Sequence, residues 1–192
     1  MADYYLWLRF AHLGGAVLLG GGLLAVFVSE LRSWRVADPV RFAEATWYTA
    51  VFYDTLALPG ALLLAGSGLL LVSLLGVGYF DQPWLTGMWA LFLFEFVEGN
   101  TVTRIQFRRS LRLARNLGSE LTPEVRRRVR QPLGQAAHFL DLPLFGVILF
   151  CGAARPDEWW PILAALALAL SAGGTMALVA SRTPALGSAS TP

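Results

Sequence analysis

The chain has 192 residues, 56% of them hydrophobic, a single cysteine (Cys151) and a net charge of +2. The apolar share exceeds that of an ordinary soluble domain, and one cysteine excludes an internal disulfide. All fifteen cations are arginine, and their uneven spread carries more information than their sum.

Five apolar runs follow one another, each long enough to read as a transmembrane helix. The first covers about residues 4–29, with Tyr4, Tyr5 and Trp7 as an interfacial aromatic belt. It is too long for a signal peptide and ends in SELRSWR, without a small-residue cleavage site, so it is expected to remain as a span. The stretch ADPVRFAEATWYTAVFYDT comes next. Asp38 followed by Pro39 marks a helix start, a capping side chain and then proline at the first position. That helix either lies along the membrane surface or runs on into the second span, about 56–78. The third span, about 84–103, contains Glu95 and Glu98 and continues into a basic helix from Arg104 to Asn116. A loop over 104–134 joins it to the fourth span, about 136–154; the fifth, about 159–180, is anchored by Trp159 and Trp160. The tail at 183–192 is small, polar and proline-containing, the composition of a disordered segment. The fold expected is therefore all-α: one integral membrane bundle of about five transmembrane helices over residues 1–182.

Arginine sets the orientation. Arg104, Arg108, Arg109, Arg112, Arg115, Arg126, Arg127, Arg128 and Arg130 fall between spans three and four, and Arg32, Arg35 and Arg41 between spans one and two. The opposite loops hold only Arg155. Positive charge stays cytoplasmic, which places the N-terminus outside and the C-terminus in the cytoplasm. The basic run begins at Arg104 because the helix leaves hydrocarbon there. Anionic lipid headgroups are its expected counterpart, and nucleic acid is not expected as a partner.

Ionisable groups within spans are functional candidates. Glu95 and Glu98 share one face of span three, and His138 and Asp141 share one face of span four. With Asp54 at the end of span two, Glu98, His138 and Asp141 are expected in one layer near the cytoplasmic side. Two readings of this polar cluster stay open: a proton- or cation-handling site, as in a cofactor-free transporter, or interhelical hydrogen bonding within a scaffold or assembly protein. His12 lies in the other half. Gly15 and Ala16 share its face, and a histidine beside small residues offers an iron ligand with room for b-type haem; the alternative is that the glycines allow close helix packing. His12 and His138 differ too much in depth to clamp one iron.

Four segments in one order, LRFAHLGGAVLLGGG, FYDTLALPGALLLAGSGLLL, PWLTGMWALFLFEF and RRVRQPLGQAAHFLDLPLFGVILFCGAARP, resemble a family of predicted bacterial integral membrane proteins of unknown function, over most of residues 5–156. The early histidine also resembles small haem-binding membrane proteins of the protoporphyrinogen oxidase type, although the later lysine of that family has no counterpart here. The resemblance implies haem b on His12 in a small redox protein or a subunit of a larger membrane complex.

Overall fold

A computed structural model describes residues 2–116, 121, 122, 124, 125 and 132–182, and every regular element among them is helical. Helix α1 is Ala2–Arg35. At about 1.5 Å per residue it is roughly 50 Å long, well beyond a hydrocarbon core of about 30 Å. Helix α2, Pro39–Phe52, starts as its sequence dictates: Asp38 accepts a hydrogen bond from the Arg41 N–H at 2.8 Å, and Pro39 occupies the first turn.

Helix α2 does not lie apart on the surface. It continues through a π-helical segment, Tyr53–Ala57, into α3, Leu58–Leu75. The helix that carries the second expected span therefore begins at residue 39. Proline explains the widened turn. Pro59 has no N–H to offer and its ring crowds the carbonyl four residues back, so the ladder is displaced and Leu58 N–H donates to the Tyr53 carbonyl instead. Helix α3 ends at Gly76, whose φ of +64° is the left-handed conformation of a helix cap.

Helix α4 is Pro83–Glu98, followed by a second π-helical segment, Gly99–Thr103, and α5, Arg104–Arg115. The released carbonyls are taken up locally: Asn100 donates to Phe96 O at 2.8 Å and Thr101 to Val97 O at 2.6 Å. Helix α6 is Pro132–Ala154 and α7 is Trp159–Arg182. Arg126, Arg127, Arg128, Arg130 and the tail at 183–192 lie outside the described residues.

Four helices among the described residues are long and apolar enough to cross a membrane: 3–35, 39–75, 137–154 and 159–179. The third of the five expected spans is not one of them, because Glu95, Glu98 and Asn100 dilute its apolar run. It nevertheless packs along α6 and buries Leu85 and Phe92.

Two helix pairs make up the frame, α1 with α3 and α6 with α7. Glycine sets the first distance. A Cβ added at Gly15 would stand 2.6 Å from Leu64 N; one at Gly60 would meet the Leu18–Leu19 backbone, and one at Gly22 the Ala57 backbone. Small residues thus let two backbones touch, the ordinary route to helix association in lipid. The outer surface carries Leu6, Trp7, Phe10, Val17, Leu163 and Leu168, each more than half exposed, as a lipid-facing surface requires.

Candidate functional site

The buried ionisable groups gather where α1, α4 and α6 meet. His138 is 2% exposed and Glu30 5%; His138 Nδ1 stands 2.9 Å from Glu30 Oε2, although off the alignment of a hydrogen bond. The imidazole is stacked on Phe27 with ring centres 5.1 Å apart, and Trp34 and Phe139 close it in edge-on. Asp141, 8% exposed, lies one helical turn further on and interacts electrostatically with His138, Glu95, Glu98 and Glu30. Glu98 accepts a hydrogen bond from Thr103 Oγ1 at 2.9 Å.

Glu95 and Asp141, with Tyr53, Gly99 and Asn100, line the polar part of a mostly apolar cavity of about 50 Å³. A water needs roughly 10–15 Å³ of such space and two to four polar partners, so this cavity suits a small group of waters. Tyr53 reaches the site because Gly99 lacks a side chain: a Cβ there would stand 2.8 Å from its hydroxyl. Both residues belong to the π-helical segments, which therefore meet at the site.

Chemically, the arrangement is a set of acids and one imidazole with few fixed counterions. An isolated charge in such surroundings is costly. Among the described residues, no three of His, Cys, Asp and Glu converge as a metal ion requires.

Asp54 pairs with arginine. Its carboxylate accepts from Arg104 Nε at 2.9 Å and faces Arg108 Nη2 at 3.5 Å, with its side chain 37% exposed. It ties the π-helical segment before α3 to α5 as an ion pair. Glu30 enters the site unforeseen. It follows the first apolar run and reads as the edge of the membrane, yet Val26, Glu30, Ser33 and Trp34 fall on one helical face and are all buried. That spacing was the available signal.

His12 lines a second, separate cavity of about 240 Å³, with Ala16, Gly68, Met88, Trp89 and Ile148 among its other walls. Its Nδ1 lies 3.1 Å from Leu64 O and 3.2 Å from Ser67 Oγ. Gly15, expected to leave room for a macrocycle, points elsewhere: its open side is filled by the α3 backbone at Leu64. Gly68 is the glycine that makes room, and what it admits is the His12 ring, since a Cβ there would stand 3.1 Å from His12 Cε1.

Residues 6–156 match the model of a family described as "Predicted integral membrane protein (DUF2269)". No curated protein and no solved structure gives a match.

Proposed function

Because the chain belongs to this family of predicted integral membrane proteins, its enclosed and half-buried acids have a bilayer around them, and we propose that they hold and relay protons. The relay is Glu30, His138, Asp141, Glu95 and Glu98, with Asp54 as a flanking structural pair rather than a member. The observation that carries this reading is the placement of His138 and Asp141. Both are buried; one stands beside Glu30, and the other lines a hydratable cavity with Glu95. Chains of Asp, Glu and His inside membrane helices mark proton paths. The distribution of arginine supports a bacterial inner membrane orientation with the N-terminus outside and the C-terminus in the cytoplasm, so the relay faces the cytoplasmic half.

The test is proton entry into proteoliposomes containing a pH-sensitive dye, driven by a potassium diffusion potential. Wild-type protein raises the rate above that of protein-free vesicles, and Asp141→Asn lowers the added rate at least about tenfold. A rate equal to that of empty vesicles, or one indifferent to Asp141→Asn, defeats the proposal.

Haem b on His12 is the second reading. In its favour, Nδ1 is held by a backbone carbonyl, the support that metal-ligating histidines use. The surroundings do not fit the macrocycle: Gly15 is filled by α3, and a cavity of about 240 Å³ lies below the range of roughly 300–1,000 Å³ usual for cofactor sites. A Soret band that shifts with dithionite and is lost in His12→Ala would restore it.

A further inference from the structure

The arginines of α5 are ordered beyond what a cytoplasmic bias in charge requires. Arg104, Arg108, Arg112 and Arg115 recur at steps of four, four and three, so they run along one helical face. Phe107, Ser110 and Ala114 form a different face, which is buried, and α5 carries no acid. Asp54 takes up the lower end of the stripe, at 2.9 Å from Arg104 and 3.5 Å from Arg108. Above it the charge is open. Arg112 and Arg115 are exposed, and no ion pair among the described residues includes them. Arg112 Nε donates to the Arg108 carbonyl at 3.4 Å, a long bond that uses one donor of its fork.

Helix α2 fixes the depth of this stripe. It runs antiparallel to α5: Phe42 shares an apolar cluster with Ala114, Tyr53 meets Phe107 edge-on at 5.8 Å, and Asp54 faces Arg104 and Arg108. A step up α5 is therefore a step back along α2. Trp47 precedes Asp54 by seven residues, two turns, and so shares its face. The arginines that rise past Asp54 thus rise beside Trp47. Trp47 and Tyr48 are each 45% exposed, as aromatic residues at a membrane–water interface are. On α5, Ile105 is an exposed large apolar side chain, and Arg108 follows one turn later. The stripe leaves hydrocarbon beside Ile105 and passes the headgroup layer at Arg108 and Arg112.

At that depth the abundant anion is a lipid phosphate. A guanidinium group matches it with two parallel N–H bonds, and two arginines four apart on a helix have Cβ atoms about 5–6 Å from each other. A stripe of arginines with one carboxylate repels the cationic half of a zwitterionic headgroup and favours a lipid of net negative charge.

We propose that Arg108 and Arg112 of α5, beside Trp47 of α2, bind one acidic phospholipid of the cytoplasmic leaflet by its phosphate. Asp54 orients Arg108 from below and leaves Arg112 to the lipid. The site shares no residue with the proton relay and stands or falls independently of it.

The probe is dioleoyl-phosphatidylglycerol, added to the full chain in detergent micelles, with bound lipid counted by native mass spectrometry. Wild type takes up one molecule saturably and at least about tenfold more tightly than dioleoyl-phosphatidylcholine. Arg112→Gln weakens phosphatidylglycerol binding about fivefold and leaves phosphatidylcholine binding and the melting temperature unchanged. Arg109→Gln removes an equally exposed charge from another face of α5, and its affinity stays within about twofold of wild type. Inorganic phosphate in large excess leaves the lipid bound. Equal affinity for the two lipids, or equal losses in Arg109→Gln and Arg112→Gln, overturns the proposal in favour of diffuse attraction. Displacement by inorganic phosphate overturns it by assigning the arginines to a free anion.

Discussion

Glu30 and His138 keep each other buried. Neither is tolerable alone, because a charged group without its partner in such surroundings costs several kcal/mol. Glu30→Gln is therefore expected to lower stability on the order of 3 kcal/mol, read as a fall in melting temperature in detergent. Adding His138→Phe should recover much of that loss, since the stranded imidazole goes too; strictly additive losses would show that the pair does not interact. Asp54 belongs to another class. Its partners Arg104 and Arg108 are partly exposed, and such pairs contribute about 1 kcal/mol or less. Asp54→Asn should leave proton entry unchanged and cost little stability, and a loss of flux comparable with Asp141→Asn would return it to the relay. The sequence separated these groups poorly. His138, Asp141, Glu95 and Glu98 were legible as ionisable residues inside apolar runs. The partner of His138 was not, because Glu30 is 108 positions away and only the α1–α6 packing brings the two together.

Helix pairing explains why adjacent glycines differ. Gly15 faces the α3 backbone, whereas a Cβ on Gly14 would meet nothing within 4 Å. Gly15→Val is expected to destabilise by about 3 kcal/mol and Gly14→Val hardly at all; similar melting temperatures would contradict the close α1–α3 contact. The sequence shows a run of small residues but not which of them meets a helix and which leaves a gap. That choice depends on the rotation of α1 about its axis, set by its neighbour. The capped start at Asp38 and Pro39 was legible because it is local. The π-helical turn before Pro59 was half legible: proline announces a disturbed ladder, but a kink and a widened turn are both open to it. Pro59→Ala restores an N–H to the ladder, and the expected result is unchanged or higher stability with slower proton entry as Tyr53 leaves Gly99. Proton entry at the wild-type rate would remove the widened turn from the mechanism.

At the scale of the whole molecule, hydropathy disclosed the architecture because lipid imposes long apolar helices on any sequence that crosses it. It ranked the helix from Pro83 last for the same reason that the helix matters: Glu95 and Glu98 are the residues that lower its apolar character. Orientation can be checked with single cysteines placed in a Cys151→Ala background. A cysteine at Arg109 is expected to react with an impermeant maleimide only from the cytoplasmic side, and one at Gln82 only from outside; the reverse pattern would invert every assignment of depth.

The length of α1 has one more consequence. Its last exposed large apolar side chain is Val28, and Glu30 follows within a single turn, so the Glu30–His138 pair stands at the seam between acyl chains and headgroups. Hydrophobic mismatch then acts on it directly. A thin bilayer bathes the seam in headgroup hydration, whereas a thick one draws it into oil and makes any separated charge dearer. Under the proposed relay, proton entry should slow as the acyl chains of the host phosphatidylcholine lengthen, which would make membrane thickness an input to the protein.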